Sequence, residues 1–473
     1  MSDYHKLFSK HLGFPPTDGQ SRALNMLADF MNDMDIPDVF VLRGYAGTGK
    51  TTIVKAIIKG LRKSDEHQLV LMASTGKASK VLSNLSGSGA STIHREIYRV
   101  KTRRDGSMNF TLKNNENANT LFVVDEASMI SPGSDFEFKK DGKSLMEDLL
   151  EYVYGGYRCK LLLIGDEAQL PPVGSELSPA LDPAYISDMY GFSVKTTILS
   201  DVVRHDALGG ILDNATRMRI NFVEDKATAF RFALDTYKDV IRIDQQEFAD
   251  LASGLFSGPS EDAVVICRSN KRTVMLNRYI RERLLGYTEI LESGEQLMVV
   301  RNNYKCLPEE SSLLFVANGE VVTIKRVNNY EEKFGFRFAD AEVCISDGER
   351  EEIFDTKLLL DTLWSDQPSL SYDDYKKFYS EVFNYHRMNS KSAKKLKEKV
   401  MDDPYFNALQ IKYSNAVTCH KTQGGQWDSV IIDNYFYPGY VISRDDIRWL
   451  YTAFTRAVKK VYLFSYPDSF FQE

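Results

Sequence analysis

Cysteine is scarce in this chain. Its 473 residues include five cysteines, and no two of them are spaced as Cys-x-x-Cys. The sequence therefore predicts neither a zinc site nor a disulfide framework, and it fits a reducing compartment. Long apolar runs are missing as well, since no stretch approaches the roughly 20 residues of a membrane-spanning helix. Residues 1–10 lack the apolar core of a signal peptide, so we expect a cytoplasmic protein without a membrane segment.

Positive charge is not in excess either. The chain carries 59 Lys and Arg against 66 Asp and Glu, a formal net charge of −7, and its pI is about 5.7. This balance argues against a generally basic protein that coats nucleic acid, although it leaves room for a local basic groove. The apolar content of 43% and the charged content of 26% are ordinary for a soluble globular protein, and the length suits about three or four domains.

A glycine-rich run from Gly44 to Thr51 matches the phosphate-loop pattern G-x-x-x-x-G-K-S/T. It follows the apolar stretch Val39–Leu42 and precedes a helical pattern, which is the strand–loop–helix context that the motif requires. Glycines allow backbone N–H groups to point at phosphate oxygens, and the helix N-terminus adds partial positive charge. We expect Lys50 to bridge the β- and γ-phosphates and the Thr51 hydroxyl to ligate Mg²⁺. The residues predicted to bind the nucleoside triphosphate are Gly44, Ala46, Gly47, Thr48, Gly49, Lys50, Thr51 and Thr52.

Short apolar runs alternate with helical segments along most of the chain. Such runs are typical of parallel strands buried on both faces, and their arrangement predicts an α/β doubly wound fold for residues 1 to about 200. The first set of predicted strands comprises Val39–Leu42, Gln68–Met72, Leu121–Val124 and Lys160–Ile164. A second set comprises Ala263–Cys267, Asn415–Thr418, Val430–Asp433 and Val461–Phe464. The second set is interrupted between roughly Gly286 and Ile411, so we expect a second α/β unit with a long insertion.

Two insertions break this pattern. Within residues 97–118 the sequence becomes polar and alternating, and Asp105-Gly106 at its centre is a strong signal for a β-hairpin. The longer insertion opens with strand-like pieces and an Asn318-Gly319 turn, which predict a small β-barrel. It continues into a helical stretch at residues 371–400. The strand-like pieces are Glu295–Val300, Glu320–Arg326, Phe334–Phe338 and Glu342–Ile345.

Two carboxylates directly follow the third predicted strand. Asp125 would lie at the carboxyl end of that strand, beside the phosphate loop, where an aspartate is placed to hold Mg²⁺ through water. Glu126 is the natural group to orient or deprotonate an attacking water. After the fourth strand, Gln169 could hydrogen-bond the γ-phosphate or the same water and so sense the loss of phosphate. An acidic turn and a stiff Pro-Pro loop are the simpler interpretations of these two segments.

The positive charge that neutralises the γ-phosphate must come partly from elsewhere in the chain, and a neighbouring domain usually supplies it. Arg204, at the start of the second α/β unit, and Arg456, shortly before the last predicted strand, are candidates. A single arginine on a helix is usually a solvated surface residue, and each of the two, taken alone, is best interpreted in that way.

Together, these segments resemble superfamily 1 helicases of the 5′→3′ branch, the RecD-like group. The matching runs occur in the family's order and span nearly the whole chain. They are Gly44–Thr51, Ala73–Lys80, Ser91–His94, Asp125–Ser128, Gly165–Gly174, Val202–Arg204, Ala416–Gly424 and Tyr451–Ala457. The resemblance implies an α/β fold with two RecA-like P-loop motor domains. It also implies an inserted β-hairpin, called the pin, and an inserted SH3-like β-barrel with a helical, tower-like extension.

Domain boundaries follow from the resemblance. Motor domain 1 would comprise residues 1–96 and 119–200, with the pin at 97–118. Motor domain 2 would comprise residues 201–285 and 412–473, with the barrel and its extension at 286–411. The extension matches the family weakly. Its basic run, Arg387–Lys399, would be either a patch for duplex DNA or a solvated helix face, and the aromatic residues before that run favour packing on another domain.

The resemblance also implies roles for individual residues. The expected catalytic residues are Lys50, Glu126, Gln169, Arg204 and Arg456. The two arginines match the family's arginine fingers, and the glutamine matches the residue that couples the nucleotide and strand sites. Gln20 matches the glutamine that contacts adenine, although it also fits a capping box with Thr17. The cofactors would be ATP and Mg²⁺, with the metal ion held by Thr51 and Asp125.

A further set of residues matches family positions that face single-stranded nucleic acid. Hydroxyl, amide and imidazole groups at strand ends suit contacts to phosphate and sugar, which carry no sequence information. The residues are Thr75, Lys77, Thr92, His94, Thr418, His420 and Gln423. In the pin, an aromatic such as Phe110 could stack on the last base pair of a duplex fork. Gln426 departs from the family, in which many members have an acidic residue, and this leaves a ribose contact open.

The resemblance therefore implies an ATP-dependent DNA helicase that moves 5′→3′ on single-stranded DNA and separates duplex strands. Its expected partners are single-stranded DNA and forks between single- and double-stranded DNA. A monomer is expected, acting alone or with a single-strand-binding protein or other replication and repair factors. An ATP-driven nucleoprotein remodeller and an RNA-directed motor remain alternatives. The same motor residues would serve all three, and recognition of RNA depends on contacts to the 2′-hydroxyl.

Overall fold

A computed structural model describes most of the chain. The described residues are 3–64, 67–102, 108–133, 143–172, 174–175, 178–201, 209–234, 237–257, 262–308, 311, 313, 315–346, 351–388, 393–437 and 439–472. Within these ranges, no helix is both long and apolar enough to cross a membrane.

The first α/β unit is built on a parallel sheet. Its strands are β1 (Asp38–Gly44), β2 (Gln68–Ala73), β3 (Ser91–Thr92), β6 (Thr120–Asp125), β7 (Lys160–Gly165) and β8 (Ser193–Leu199), in the order β3-β2-β6-β7-β1-β8. Alternate residues of β1 enter two separate apolar cores, Phe40 and Leu42 on one face and Val39 and Val41 on the other. The strands predicted for this unit are present, and β3 and β8 extend the sheet at its edges.

Helices cover both faces of this sheet. They are α1 (Asp3–Lys10), α2 (Asp18–Asn32), α3 (Lys50–Ser64), α4 (Gly76–Ser86), α5 (Ile93–Ile97), α6 (Leu145–Tyr154) and α7 (Pro183–Tyr190), with 3₁₀ turns at Ala127–Met129 and Pro179–Leu181. The first turn of α3 directly follows the phosphate loop, so the positive end of the helix dipole faces that loop.

The predicted hairpin leaves this unit after α5. It consists of β4 (Tyr98–Thr102) and β5 (Met108–Leu112), which pair antiparallel with Tyr98 opposite Leu112. The predicted turn at residues 103–107 lies outside the described residues. The base of the hairpin is fixed, because Tyr98 is 1% exposed and its hydroxyl donates to the Asp148 carboxylate. The Lys113 N–H, directly after β5, donates to the last residue of α5 at 2.7 Å.

The second α/β unit also has a parallel sheet. Its strands are β9 (Val240–Ile243), β10 (Ala263–Cys267), β16 (Ala416–Thr418), β17 (Trp427–Asp433) and β18 (Ala457–Phe464), in the order β16-β10-β17-β18-β9. The helices are α8 (Gly210–Val223), α9 (Gln245–Leu255), α10 (Asn270–Tyr279), its π-helical continuation Ile280–Leu284, and α13 (Arg444–Phe454), with 3₁₀ turns at Ala227–Ala229, Cys419–Thr422 and Asp468–Phe470. The second set of predicted strands is present, and β9 adds an edge strand.

The long insertion contains a closed barrel. Its strands are β11 (Gln296–Val299), β12 (Val321–Lys333), β13 (Phe336–Ser346), β14 (Glu351–Leu359) and β15 (Leu409–Tyr413). The prediction of separate strands at 334–338 and 342–345 was wrong, because residues 336–338 and 342–345 belong to the single strand β13 and residues 334–335 form the turn before it. β13 pairs with β12 through two register shifts. β15 returns after the helical extension and closes the barrel by pairing with β11 and β14.

The helical extension packs on the barrel. It comprises α11 (Tyr372–Arg387) and α12 (Ala393–Met401), and a 3₁₀ turn at Asp361–Leu363 precedes it. Phe378 of α11 is 3% exposed, and its ring lies 4.9 Å from the ring of Phe336 in β13. The aromatic residues were expected to pack on another domain, but Phe378 packs on the barrel of the same insertion, and Tyr372 is 78% exposed. In the basic run, residues 389–392 lie outside the described residues.

Candidate nucleotide site and nucleic-acid interface

The phosphate loop joins β1 to α3, and its glycines are required by its geometry. Gly47 and Gly49 have φ values of 73° and 88°, left-handed conformations that glycine adopts without steric cost. Space is restricted at Gly44, where a Cβ would lie 2.9 Å from Lys50 Cγ and 3.0 Å from Leu199 Cβ. The loop can therefore adopt this tight conformation only with glycine at these positions, as is typical of a loop whose backbone N–H groups surround a phosphate.

The Lys50 ammonium lies inside this loop. Its Nζ donates to the carbonyl oxygens of Gly44 at 2.5 Å and Tyr45 at 3.0 Å, and it lies 3.6 Å from Asp166 Oδ2. Thr51 follows in the first turn of α3. A lysine ammonium and a threonine hydroxyl at these positions are the donor set that holds a triphosphate with Mg²⁺.

Asp125 and Glu126 lie at the carboxyl end of β6. Burial raises the pKa of Asp125, and the Glu126 carboxylate raises it further. Burial and the neighbouring negative charge both disfavour the charged form of Asp125, and a cation bound beside it would stabilise that form. Glu126 has φ 52° and ψ 38°, a left-handed conformation that costs a residue with a side chain about 1 kcal/mol or more. Its Oε2 is buried and has no hydrogen-bond partner within the described structure. Backbone strain and an unpaired buried oxygen both favour a functional carboxylate here.

The loop after β7 faces the phosphate loop. Asp166 is 1% exposed, and its Oδ1 accepts from the Ala168 N–H at 3.0 Å. Glu167 accepts from the Tyr45 hydroxyl at 2.8 Å and pairs with Arg43 at 3.1 Å. Burial raises the pKa of Tyr45, with a further contribution from Glu167, so the hydroxyl stays protonated and donates.

Helix α13 of the second unit bonds directly to this side of the first unit. The Tyr451 hydroxyl accepts from the Ala46 N–H of the phosphate loop at 2.7 Å. The Thr452 hydroxyl accepts from the Leu170 N–H at 2.9 Å, and an Arg448 N–H donates to the Glu167 carbonyl at 3.1 Å. The predicted nucleotide site is therefore bounded by both α/β units.

The remaining predicted catalytic residues are only partly brought together. Gln169 is 4% exposed, and its Oε1 has no hydrogen-bond partner within the described structure. Arg456 is also 4% exposed, and its Nε donates to the Thr452 carbonyl at 3.1 Å, within its own unit. Its role as an arginine finger stays a prediction, and Arg204 lies outside the described residues.

Gln20 is fully buried beside the phosphate loop. Its Oε1 accepts from the Thr17 N–H at 3.2 Å and its N–H donates to Thr17 Oγ1 at 3.2 Å, which completes the capping box. Its Nε2 also donates to the Thr48 carbonyl at 3.3 Å. The amide therefore links the start of α2 to the phosphate loop, and its contact with adenine stays a prediction.

The predicted strand contacts of the first unit lie at the carboxyl edge of its sheet. Thr75 follows β2 and Thr92 ends β3, and their hydroxyls accept hydrogen bonds from the first turns of α4 and α5. The second unit meets this edge. Lys77 Nζ lies 4.6 Å from the centre of the Trp427 ring, and a Cβ at Gly424 would lie 2.6 Å from Thr75 Oγ1.

On the second unit, Thr418 ends β16 and His420 follows it in a 3₁₀ turn. Burial lowers the pKa of His420, with further contributions from Arg268 and Lys421, so the neutral imidazole is favoured. The Gln423 side chain points into the interface between the units instead. Its Nε2 donates to the Leu170 carbonyl at 2.6 Å, and Gln423 is 6% exposed.

A groove of about 730 Å³ lies between the first unit and the barrel. Its walls include Lys77, Lys80, Thr92, Arg95, Phe315 and Lys325. The His94 ring meets the Phe315 ring edge to face at 6.1 Å. Basic side chains beside an aromatic ring are the composition of a path for single-stranded nucleic acid. The side chain of Phe110, the predicted stacking residue of the pin, lies outside the described residues.

Sequence reasoning missed several residues of the nucleotide site. Tyr451 and Thr452 reach the first unit from α13, and the Arg219 guanidinium of α8 lies 4.9 Å from the centre of the Tyr45 ring. A signal existed for the first two, since both lie in the run Tyr451–Ala457 that matches the family. No comparable signal marked Arg219, because its contact depends on how the units meet.

The loop, the carboxylates and the facing helix are those of a P-loop nucleoside triphosphatase, and the candidate nucleotide site lies between two α/β units. Residues 17–247 match the family described as AAA domain, and residues 413–464 match the family described as UvrD-like helicase C-terminal domain. These matches, with the relatives below, confirm the resemblance to superfamily 1 helicases of the RecD-like type that was drawn from the sequence.

The relatives are all distant. The ATP-dependent DNA helicase dda of Enterobacteria phage T4 is 27% identical over 319 residues, which cover 65% of this chain and 67% of the phage protein. The ATP-dependent RecD2 DNA helicase of Deinococcus radiodurans is 33% identical over 190 residues, 39% of this chain but 24% of that protein. A crystal structure of Pif1 helicase from Bacteroides in complex with ADP-AlF3 and ssDNA has a TM-score of 0.46 and 16% identity, and the match covers 96% of this chain and 93% of that one.

Proposed function

We propose that this chain is an ATP-dependent DNA helicase that moves 5′→3′ on single-stranded DNA and separates duplex strands. One observation carries the proposal: both predicted sites span the same two α/β units. At the nucleotide site α13 bonds to the phosphate loop, and at the strand edge Lys77 of the first unit meets Trp427 of the second. A change in how the units meet would therefore act on both sites. The choice of DNA and the polarity rest on the relatives and on the family.

The chain's own residues divide the chemistry among them. Lys50 would hold the β- and γ-phosphates of ATP, and Thr51 and Asp125 would hold Mg²⁺, which neutralises charge on those phosphates. Glu126 orients the attacking water and takes its proton, as its unpaired buried oxygen favours. Gln20 is proposed to contact adenine. Gln169 would report the state of the γ-phosphate, and the arginine fingers Arg204 and Arg456 would balance its charge.

Movement requires that the two units hold the strand differently in the two nucleotide states, because a ligand shifts an equilibrium only by its difference in affinity. We propose that Thr75, Lys77, Thr92 and His94 hold it on the first unit and that Thr418 and His420 hold it on the second. When ATP draws the two α/β units together at the nucleotide site, the distance between the two sets shortens, and separation of the units after hydrolysis advances one set along the strand.

The domains would be arranged as in the family. Residues 1–96 and 119–200 form motor domain 1, and 201–285 and 412–473 form motor domain 2. The hairpin at 97–118 is the pin that divides the strands at a fork, and 286–411 supply an SH3-like barrel and its tower-like extension. We expect a cytoplasmic monomer. A nucleoprotein remodeller or an RNA-directed motor would use the same residues, but neither has strand separation as its main task, so neither requires the hairpin.

Unwinding of tailed duplexes tests this function. A DNA duplex with a 5′ single-stranded tail should be unwound with ATP and Mg²⁺, and one with a 3′ tail should not. Lys50→Ala should lower DNA-stimulated ATP hydrolysis at least about tenfold, since the ammonium stabilises transferring phosphate charge. Lys59→Ala, an exposed position on the same helix, is the matched control. Unwinding confined to the 3′ tail would overturn the polarity, and full ATPase activity in Lys50→Ala would overturn the site.

A further inference from the structure

The Tyr451 side chain crosses from α13 of the second unit into the phosphate loop of the first. It is 1% exposed. Its hydroxyl accepts from the Ala46 N–H at 2.7 Å and donates to Asp166 Oδ2 at 2.6 Å. A single oxygen of the second unit therefore bonds both to a predicted phosphate-binding amide and to a buried carboxylate.

Asp166 makes this contact part of the nucleotide site. Its Oδ2 lies 3.6 Å from the ammonium of Lys50, and its Oδ1 is fixed by the Ala168 N–H at 3.0 Å. Burial raises the pKa of Tyr451 well above its usual value, and the Asp166 carboxylate raises it further. The hydroxyl therefore keeps its proton, so that it donates to Asp166 and can accept only at its other side, from Ala46.

We propose that the Tyr451 hydroxyl is a positioning contact that reports the nucleotide state of the phosphate loop to the second α/β unit. This inference rests on the proposed function. A backbone N–H makes one strong hydrogen bond, so the Ala46 amide cannot serve Tyr451 and a phosphate oxygen at the same time. Binding of a triphosphate at Ala46 displaces the hydroxyl from the amide, so that α13 shifts relative to the phosphate loop while it keeps its bonds to Asp166 and Leu170.

This exchange gives a direct link to the strand. α13 carries Thr452, which bonds to the Leu170 N–H, and the Leu170 carbonyl is bonded in turn by Gln423 at 2.6 Å. Gln423 follows Thr418 and His420, the predicted strand contacts of the second unit. A shift of α13 that starts at Tyr451 therefore passes through a continuous set of hydrogen bonds to the segment that would hold the strand.

Tyr451→Phe tests the proposal, because it removes the hydroxyl and keeps the buried ring. The measurement is the dissociation constant of a fluorescent, non-hydrolysable ATP analogue, with and without an oligo(dT) strand. Without the strand, Tyr451→Phe should bind the analogue about fivefold more tightly, because the hydroxyl no longer competes with phosphate for the Ala46 amide. A factor of about five corresponds to the net free energy of one hydrogen bond. The ratio of the two dissociation constants, which measures coupling between nucleotide and strand, should fall by the same factor.

Tyr466→Phe is the matched control. Tyr466 is also 1% exposed and belongs to the same unit, but its hydroxyl has no hydrogen-bond partner within the described structure. This variant should leave both dissociation constants unchanged. A general effect of losing a buried hydroxyl would appear in both variants and not in Tyr451→Phe alone.

The outcomes separate this inference from the proposed function. If the wild-type protein couples nucleotide and strand binding and Tyr451→Phe keeps that coupling, the inference is overturned and the function stands. The same holds if Tyr451→Phe is unfolded at 25 °C or binds the analogue more weakly, since the hydroxyl would then be a structural contact. A wild-type protein that binds the analogue without any response to the strand overturns the proposed function itself.

Discussion

At the scale of single residues, Lys421 is a cationic side chain beside the predicted strand contacts of the second unit. Lys421 lies next to His420, between the second unit and the barrel, and its ammonium donates to Asn318 in the barrel turn. Burial lowers the pKa of Lys421 to about 8, and the neighbouring Lys412 contributes to that shift. A half-buried lysine beside the predicted strand contacts would gain from an anionic ligand, and the phosphates of the strand supply that charge.

This lysine predicts a pH dependence of strand binding. A lysine is charged below its pKa, so Lys421 carries its charge at pH 7 and loses it as the pH rises through about 8. Affinity for single-stranded DNA should fall about fivefold between pH 7 and about 9, because that factor corresponds to the net free energy of roughly one hydrogen bond. Fluorescence anisotropy with an oligo(dT) strand at constant salt measures this change.

Arginine keeps its charge over this range, so Lys421→Arg should remove the fall. Lys459→Arg is the control, because Lys459 is exposed and paired with Asp428 at 2.7 Å; that variant should keep the wild-type pH profile. A fall of equal size in Lys421→Arg would show that another group titrates.

At the scale of elements, the hairpin formed by β4 and β5 can be tested without disturbing the motor. Tyr98 and Leu112 face each other at its base, so residues 99–111 can be replaced by Asn-Gly, which favours a two-residue hairpin turn. The buried base at Tyr98 is kept. Unwinding of a fork should fall at least about fivefold, since stacking on one base is worth about 1–3 kcal/mol, and ATPase activity stimulated by single-stranded DNA should be retained.

Displacement of streptavidin from the end of a biotinylated single strand is the companion measurement. It requires translocation and no strand separation, so the shortened protein should perform it like the wild type. If unwinding is retained in the shortened protein, the hairpin is not the pin, and a remodeller that does not need to split strands becomes the better interpretation.

The elements also show what local sequence could predict. β1 and β10 lie in the interior of their sheets, so both faces are buried and each is an unbroken apolar run. β13 alternates between buried and partly exposed residues, so polar positions divided it into two apparent strands. It is continuous because β12 and β14 pair along its two edges, and such pairing between distant segments leaves no local pattern.

The contacts of the candidate site could likewise be predicted from the sequence only in part. Asp125 directly follows one predicted strand, and Lys50 follows another at the end of the phosphate loop. Parallel strands bring such positions to one sheet edge, so their grouping could be predicted. The bond from Tyr451 to Ala46 joins positions 405 residues apart and depends on how two units meet. The sequence run containing Tyr451 was recognised by resemblance, but the partner of its hydroxyl could only be seen in the assembled fold.

At the scale of the whole molecule, the two α/β units meet in a nucleotide zone and in a strand zone. Leu170 lies between the zones, with its N–H bonded by Thr452 and its carbonyl bonded by Gln423. Family resemblance assigns Gln423 to the strand, whereas the structure directs its amide to the first unit. The two assignments differ in which measured quantity a substitution should change.

If Gln423 transmits changes across the interface, Gln423→Ala should leave the dissociation constant for oligo(dT) within about twofold and lower the ATP turnover at saturating strand about fivefold, the value of one net hydrogen bond. Anisotropy and steady-state ATPase assays measure the two quantities. Gln246→Ala, at an exposed position on α9, should change neither. The reverse result, weakened strand binding with unchanged turnover, would return Gln423 to the strand. Because the Leu170 carbonyl would lose a bond of 2.6 Å within a buried interface, we expect the loss to appear in turnover.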